Sequence, residues 1–374
     1  MPLPRTIVID TTVFDQHAYH FASPTIQKFV DLTKTEKFTL LLPDPWHREV
    51  KRHIREKSHT AAAALKRISR EAPLIYRWPH WPGAKVAANA AAEIETATLA
   101  GWEKFLQNFT VEKLGYKDID LEKIMESYDR QQPPFGTGEK RKEFPDAFAV
   151  SAVSGYSKAK KTQVAFVSAD PDIQNACALY ADLLYFPDLP ALTEAFLIEA
   201  VETAAIKDAI KAAISANPAI IIACIREAFP NFTFYPAEDL DGDVEDVEVQ
   251  TANLSNVRVI SITPDHCTVA FDADVEFSAY VSYDDPDTMI IDSSEDFRMA
   301  LYTRAGKVTD AACLSATLYL DFDEEWKSIL SAYDLECEDQ TITIEARPPI
   351  RYDDDDREEP PEEDFVPPEP QHPE

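Results

Sequence analysis

The stretch RTIVIDTT, residues 5–12, decides the fold, because its apolar run ends in an acid that two threonines follow. A short run of β-branched residues predicts a buried strand, and Asp10 then stands at the C-terminal end of that strand. The segments FTLLL at 38–42 and VAFVS at 164–168 have the same character. Helical segments separate the three runs, so we expect an α/β fold with a mostly parallel sheet flanked by helices.

The segments between these strands have the pattern of helices. In residues 24–36, Pro24 suits a first turn, and apolar side chains recur at helical spacing from Ile26 to Leu32. A helix with a basic face is expected after the second strand, through about Lys57. We expect further helices over residues 61–71, 84–109, 116–128, 146–156 and from 172, with a fourth strand over residues 182–186.

The second half of the chain has a different pattern. Residues 191–228 are expected to form two helices, because Pro218 interrupts the run. From about residue 232 apolar and polar residues alternate, which predicts a smaller antiparallel β-rich domain of about five or six strands. The tail from Tyr352 onward is acidic and proline-rich and is expected to be disordered.

Charge is divided unevenly along the chain. Residues 1–190 hold 25 Lys and Arg against 24 Asp and Glu, whereas residues 191–374 hold 11 against 43. A nucleic acid is repelled by the second half and is expected to approach only the first. The absence of an apolar span, a secretory signal and a CxxC pair favours a cytoplasmic protein without a membrane segment. The histidine spacing and the lack of a P-loop argue against a zinc hydrolase or an NTPase.

Four acids stand at the carboxyl ends of predicted strands or on the helices that follow: Asp10, Glu49, Asp146 and Asp170. In an open parallel sheet, ligands bind in the crevice outside these strand ends. Two carboxylates about 4 Å apart repel by roughly 4 kcal/mol at an effective dielectric of about 20, so a cluster must share protons or bind a cation. Oxygen ligands favour Mg²⁺ or Mn²⁺, and such an ion can activate a water that hydrolyses a phosphodiester bond.

These residues resemble the PIN-domain nucleases. IVIDTTVF, an acid on the helix after the second strand, EFPDAFAVSAV and VAFVSADPDI follow one another in the family's order, over roughly residues 5–190. The chain is most similar to the bacterial branch in which a Gly- and Lys-containing loop and an E-x-P-D step precede the third acid, here GTGEKRKEFPDAF. The resemblance implies that the four acids bind divalent metal and that the protein is a metal-dependent endoribonuclease.

The resemblance also implies roles for auxiliary residues and a division of the chain. Thr12 stands where the family often has Asn or Ser and is expected to steady Asp10. Asp172 and Glu143 are candidate auxiliary acids, and the family pattern does not decide between them. The expected domains are a PIN-like nuclease domain, a helical linker, a β-rich C-terminal domain and a disordered acidic tail. Their predicted bounds are 1–190, 191–230, 231–348 and 349–374.

Each acid also has a structural interpretation that the sequence leaves open. Asp146 and Asp170 have the position of helix N-caps. Glu49 lies in a charged helix, so its structural interpretation is a solvated helix face. Asp10, after a fully apolar strand, is the hardest of the four to explain without a function.

Basic residues are candidates for contact with the substrate. Arg48, Lys51 and Arg52 lie on the helix of Glu49, with Arg55 and Lys57 beyond them, and the run Lys140, Arg141 and Lys142 precedes Asp146. They would bind phosphate groups of RNA, or they are a solvated face and loop. Trp78 and Trp81 are suited to stacking on bases, although packing is favoured for them.

Several functions remain open from the sequence. The leading hypothesis is an Mg²⁺- or Mn²⁺-dependent endoribonuclease, toxin-like or defence-related; the alternatives are an inactive PIN-like binding module and a DNA-directed structure-specific nuclease. A haloacid-dehalogenase-like phosphatase is disfavoured, because its nucleophile motif needs a second aspartate where Thr12 stands. A protein partner, a homo-oligomer, and self-inhibition by the acidic C-terminal half all remain open, the last because the tail holds nine acids between Asp353 and Asp364.

Overall fold

A computed structural model of the chain describes residues 3–71, 89–136, 143–199, 201–237, 242–263, 266–292 and 297–351. Close packing divides the chain into two compact units. The first unit comprises Met1–Cys224, Leu254–Ala273 and Leu314–Asp339, and the second comprises Ile225–Asn253, Asp274–Cys313 and Gln340–Glu374. The domain bounds expected from the sequence stay predictions.

A five-stranded parallel sheet is the centre of the first unit. Its strands are β1 Thr6–Ile9, β2 Thr39–Pro43, β3 Thr110–Leu114, β4 Val164–Val167 and β5 Leu183–Phe186. They lie in the order β3-β2-β1-β4-β5, and every neighbouring pair is parallel. The parallel α/β architecture expected from the sequence is therefore confirmed. Strand β3 was missed, because the edge sequence TVEKL alternates exposed and half-buried residues and lacks an apolar run.

Ten helices are present among the described residues. They are α1 Thr11–Gln16, α2 Pro24–Thr35, α3 Asp44–Glu71, α4 Ala90–Leu106, α5 Leu121–Asp129, α6 Phe144–Lys160, α7 Pro171–Cys177, α8 Leu189–Leu197, α9 Val201–Ala216 and α10 Ala219–Ala228. Helices flank the sheet on both faces, because successive strand residues point in opposite directions. In β1, Ile7 and Ile9 pack in a core with α2, α4 and α8, whereas Val8 packs in a second core with α6 and α7.

Several helices differ from those that the sequence predicted. The expected break after Lys57 is absent, and α3 is one helix of 28 residues, because no glycine or proline interrupts it. The six-residue helix α1 was not predicted. Helix α6 begins at Phe144 rather than Asp146, since Pro145 suits a first turn. The run at 191–228 does break at Pro218, as expected, but a further break precedes Val201, so it falls into three helices rather than two.

The β-rich part of the chain contains longer strands than the alternation predicted. The strands are β6 Thr233–Pro236, β7 Gly242–Ile262, β8 His266–Asp284, β9 Met289–Asp292, β10 Phe297–Ala300, β11 Thr303–Phe322, β12 Ile329–Cys337, β13 Thr341–Ile344 and β14 Ile350–Arg351. The alternating segments 247–252 and 257–262 predict two separate strands. Both lie in the single strand β7, which spans 21 residues. Strands β12-β11-β8-β7 form the main sheet, and β14 pairs with β11. The alternating segment 340–346 was expected to belong to this antiparallel sheet. It does not, because β13 pairs with β6 in parallel.

Among the described residues, no single helix is both long and apolar enough to cross a membrane. Helices α9 and α10 meet the requirement of length and composition only when taken together as a bent pair.

Candidate active site at the carboxyl edge of the parallel sheet

Asp10 leaves strand β1 at the centre of the sheet and is the N-cap of α1. Its backbone N–H donates to the carbonyl of Val167 in β4, which fixes the end of the two central strands side by side. One carboxylate oxygen accepts from the backbone N–H of Thr11 at 2.6 Å. The other accepts from two hydroxyls, Thr12 Oγ1 at 2.7 Å and Ser168 Oγ at 2.6 Å. Neutral donors therefore hold both oxygens of Asp10 in place.

Burial disfavours the charge of Asp10. The side chain is 3% exposed, and burial raises the pKa of the carboxyl above its ordinary value, while the hydrogen bonds from Ser168, Thr12 and Thr11 lower it. Among the described residues, no lysine or arginine forms an ion pair with Asp10, Asp146 or Asp170. Within the described part of the chain, the negative charge at this edge of the sheet is therefore not compensated by an ion pair.

Thr11 joins Asp10 to Glu49. Its hydroxyl lies 3.1 Å from Glu49 Oε2 and 3.3 Å from Asp10 Oδ1. A hydroxyl has one proton, so it donates to only one of the two carboxylates at a time. The opposite oxygen of Glu49 accepts from Arg52 Nη2 at 2.9 Å. Helix α3 thus carries Glu49 to the end of β1. The helix face at Glu49 is not fully solvated, because the Glu49 side chain is only 23% exposed.

Asp146 lies in the first turn of α6 and faces the same region. Its Oδ1 accepts from Trp46 Nε1 at 2.9 Å, and the indole is fully buried at the start of α3. The pKa of Asp146 is raised to about 8, first by burial and then by the charges of Asp10 and Glu143, while the bond from Trp46 opposes the rise. Glu143 lies close enough to Asp146 for its negative charge to contribute to this rise. The N-cap interpretation of Asp146 is wrong, because Glu143 occupies the N-cap position of α6.

Asp170 is joined to Asp10 through Ser168. The fully buried Ser168 hydroxyl donates to Asp10 and accepts from the backbone N–H of Asp170 at 3.0 Å. Asp170 is the N-cap of α7, and its Oδ1 accepts from the N–H of Asp172 at 2.7 Å. The N-cap role considered for Asp170 is therefore present, which leaves its other oxygen for a further contact.

The auxiliary residues have distinct surroundings. Thr12 donates to Asp10 as expected, so its hydroxyl does occupy the steadying position. Glu143 contacts Asp146, whereas Asp172 offers its backbone N–H to Asp170. The roles assigned to seven residues, catalytic and metal-binding for four acids and auxiliary for the other three residues, stay predictions. The seven are Asp10, Thr12, Glu49, Glu143, Asp146, Asp170 and Asp172.

The donor set has the chemistry of a hard cation site but not a completed arrangement of ligands. All candidate ligands are carboxylate oxygens, and the pKa values of two of the carboxyls, Asp10 and Asp146, are raised chiefly because burial disfavours their charge. Yet the described part of the chain contains no group of three or more His, Cys, Asp or Glu side chains arranged to hold a metal ion. The residues fit a divalent cation by charge and ligand type, and binding would require the side chains to approach one another.

Most of the basic residues on α3 already have acidic partners. Arg48 pairs with Asp44 at 2.7 Å, Arg55 with Glu95 at 3.1 Å, and Lys57 lies 3.5 Å from Asp15. Lys51 is half-buried and lowers the pKa of His47 by its charge, after burial of that ring. Lys140, Arg141 and Lys142 lie outside the described residues, as do Trp78 and Trp81, so their predicted roles stay predictions.

Sequence patterns gave no indication of several residues that support the acids. Ser168, Thr11 and Trp46 donate to Asp10, Glu49 or Asp146, and Tyr185 fixes Ser168 by donating to its carbonyl at 2.7 Å. Hydrophobic periodicity identifies strands but not which hydroxyl faces which acid. The serine that ends VAFVS, at the same edge as Asp10, was the one available signal for Ser168.

The comparison with known families agrees with this geometry. A family model described as PIN domain matches residues 7–173, a range that contains all four acids. Searches of curated proteins and of solved structures find no match. PIN domains are generally metal-dependent nucleases. The match covers less than half of the chain and leaves the separate antiparallel β region unassigned, so the similarity to the PIN domain family is confined to residues 7–173.

Proposed function

We propose that the protein is an Mg²⁺- or Mn²⁺-dependent endoribonuclease that hydrolyses RNA at the edge of the sheet where Asp10 lies. The observation that carries the proposal is the linkage of all four acids: Thr11 joins Asp10 to Glu49, Ser168 joins it to Asp170, and the charge of Asp10 acts on Asp146. The proposal has two further parts. The domain would belong to the bacterial branch of the PIN-domain nucleases, as the E-x-P-D step suggests, and the protein would have a toxin-like or defence role.

The residues have separable tasks in this reaction. Asp10, Glu49, Asp146 and Asp170 would hold the cation, which supplies positive charge and an activated water when bound. Thr12 and Ser168 fix the direction of the Asp10 oxygens, and Trp46 fixes Asp146. Before a cation binds, Asp146 holds a proton near neutral pH, since its pKa is raised to about 8.

The test incubates the purified full chain with mixed RNA and DNA in Mn²⁺, Mg²⁺ or EDTA. We expect RNA cleavage that requires metal and that Asp10→Asn and Asp146→Asn each abolish, since either change removes a charged ligand. Asp31→Asn is the matched control, because Asp31 is an exposed aspartate of α2 whose partner is Lys34. Cleavage that persists in EDTA, or in both site variants, would overturn the assignment.

A binding module without activity is the second candidate. It is favoured by the absence, in the described part of the chain, of three acids already arranged around a metal position. Such a module would bind RNA with the same affinity in EDTA and in Mn²⁺ and would cleave neither nucleic acid. Cleavage of DNA alone would instead favour the structure-specific DNA nuclease.

A further inference from the structure

A second polar cluster lies beside Glu49, formed by side chains of α1, α3 and the segment between α1 and α2. His53 follows Glu49 by one helical turn, and its Nδ1 lies 2.8 Å from Asp15 Oδ2. The Tyr19 hydroxyl lies 3.0 Å from the same nitrogen, and Lys57 Nζ lies 3.5 Å from Asp15 Oδ1. None of these side chains is a predicted metal ligand, so the cluster needs an explanation of its own.

Asp15 determines which nitrogen of His53 carries the proton. A carboxylate only accepts hydrogen bonds, so Nδ1–H donates to Asp15 and Nε2 keeps its lone pair. Arg52 Nη2 lies 3.3 Å from Nε2, and an arginine N–H only donates, which agrees with this tautomer. The buried Tyr19 hydroxyl lies near the same carboxylate, since the charge of Asp15 raises the pKa of Tyr19 after burial of that side chain.

The same tautomer fixes the position of Arg52. Nη2 has two hydrogens, and it contacts two acceptors, Glu49 Oε1 at 2.9 Å and His53 Nε2 at 3.3 Å. Nε faces Glu56 at 3.9 Å, too far for a hydrogen bond. Within the described ranges no acceptor engages Nη1, and the side chain is 59% exposed. The Nη2 group of the guanidinium is therefore held by Glu49 and His53, and the Nη1 group is left for a further contact.

We infer that His53, oriented by Asp15, is a positioning residue that holds the Arg52 guanidinium beside Glu49 so that its Nη1 edge binds a phosphate group of RNA. The inference rests on the proposed function for its substrate. An anchored guanidinium loses less conformational entropy on binding phosphate than a mobile one. Arg48 and Arg55 differ, because an acid alone pairs with each of them.

The test measures RNA binding without cleavage. A fluorescein-labelled single-stranded RNA oligonucleotide is titrated with full-length protein in EDTA over a series of KCl concentrations. The variants are Arg52→Gln, His53→Asn, His53→Gln and the double variant Arg52→Gln/His53→Asn. An asparagine keeps a donor for Asp15 but offers no acceptor to Arg52, whereas glutamine places a carbonyl oxygen near the position of Nε2.

We expect Arg52→Gln to weaken binding at low salt by roughly three- to tenfold and to reduce the salt slope by about 0.7, the value for one phosphate contact on a single strand. His53→Asn should reproduce most of that loss, and His53→Gln should restore it. The double variant should bind no more weakly than Arg52→Gln alone, since both changes remove one interaction. Arg67→Gln, the same charge change at an exposed site on α3, is the control and should bind like the wild type.

Wild-type affinity in His53→Asn, or losses that add in the double variant, would overturn the inference. Thermal melts of each variant separate these outcomes from unfolding. The proposed function is judged by a different readout, the metal-dependent cleavage that Asp10→Asn and Asp146→Asn abolish. Cleavage that behaves as proposed, together with unchanged RNA binding in Arg52→Gln, would reject this inference alone, and wild-type protein that fails to bind RNA would also reject it.

Discussion

Asp146 is a residue whose charge the folded protein disfavours, and this has a consequence for stability. Its pKa is raised to about 8 in the folded protein, against about 3.9 in an unfolded chain. Between these values the folded state binds more protons than the unfolded state, so the free energy of unfolding falls as pH rises. Asp146→Asn removes this loss. In EDTA at pH 8 we expect the variant to be more stable than the wild type by at least about 1 kcal/mol, because a difference of one pKa unit corresponds to about 1.4 kcal/mol and the two pKa values differ by more than that.

The measurement is urea denaturation in EDTA at pH 4 and pH 8, with Asp31→Asn as the control. The stabilising effect should almost disappear at pH 4, where Asp146 is protonated in the folded state and about half protonated in the unfolded state. An equal difference at both pH values would contradict the prediction. Added Mg²⁺ should stabilise the wild type more than Asp146→Asn, because a ligand that binds only the folded state stabilises it.

At this scale the sequence indicates the acids but not their partners. Asp10 is identifiable, because an acid after an apolar strand has few structural explanations. Trp46 and Ser168 are not, because an indole N–H or a hydroxyl that meets an acid far along the chain leaves no periodic pattern. Their contacts with Asp146 and Asp10 exist only once the strands are paired.

At the scale of elements, the residue that follows β12 holds the end of α1 within the first unit. Glu338 Oε1 lies 3.0 Å from Nδ1 of the buried His17, the C-cap of α1, and accepts from Thr25 Oγ1 at 3.2 Å. Loss of this carboxylate leaves buried polar groups unpaired, which costs about 1–3 kcal/mol. We therefore expect Glu338→Ala to lower the free energy of unfolding by that amount in chemical denaturation, and Glu338→Gln, which keeps an acceptor oxygen, to lower it less.

The control for this element is Glu325→Ala. Glu325 pairs with Lys327 at the surface, where its side chain is 71% exposed, and such pairs contribute little. If Glu338→Ala were no more destabilising than Glu325→Ala, the contact with His17 would not hold the element in place.

The strands show why the fold was only partly predictable. Strands β1, β2 and β4 are buried on both faces, so their apolar runs identify them without ambiguity. Strand β3 lies at the edge, and its half-polar sequence resembles a loop. In the β-rich part, alternation identifies strands but not their ends, so the full length of β7 was not predictable from its sequence pattern.

For the molecule as a whole, we expect the negative charge of the acidic tail to weaken the binding of a polyanion such as RNA. Residues 352–374 hold eleven acids and one arginine, within a chain of net charge −31. The tail could compete with RNA for the basic residues of the first half, or it could only add long-range repulsion. Both effects weaken as the salt concentration rises, because salt screens the charges. Deleting these residues should therefore tighten RNA binding in EDTA at low salt, and the gain in affinity should fade as the KCl concentration rises.

A full-length variant with the tail acids changed to asparagine and glutamine separates the effect of charge from that of length and should behave like the deletion. Equal affinity for the full-length and shortened proteins at every salt concentration would show that the tail exerts no restraint on RNA, and that the first half binds its substrate independently of the charge that follows it.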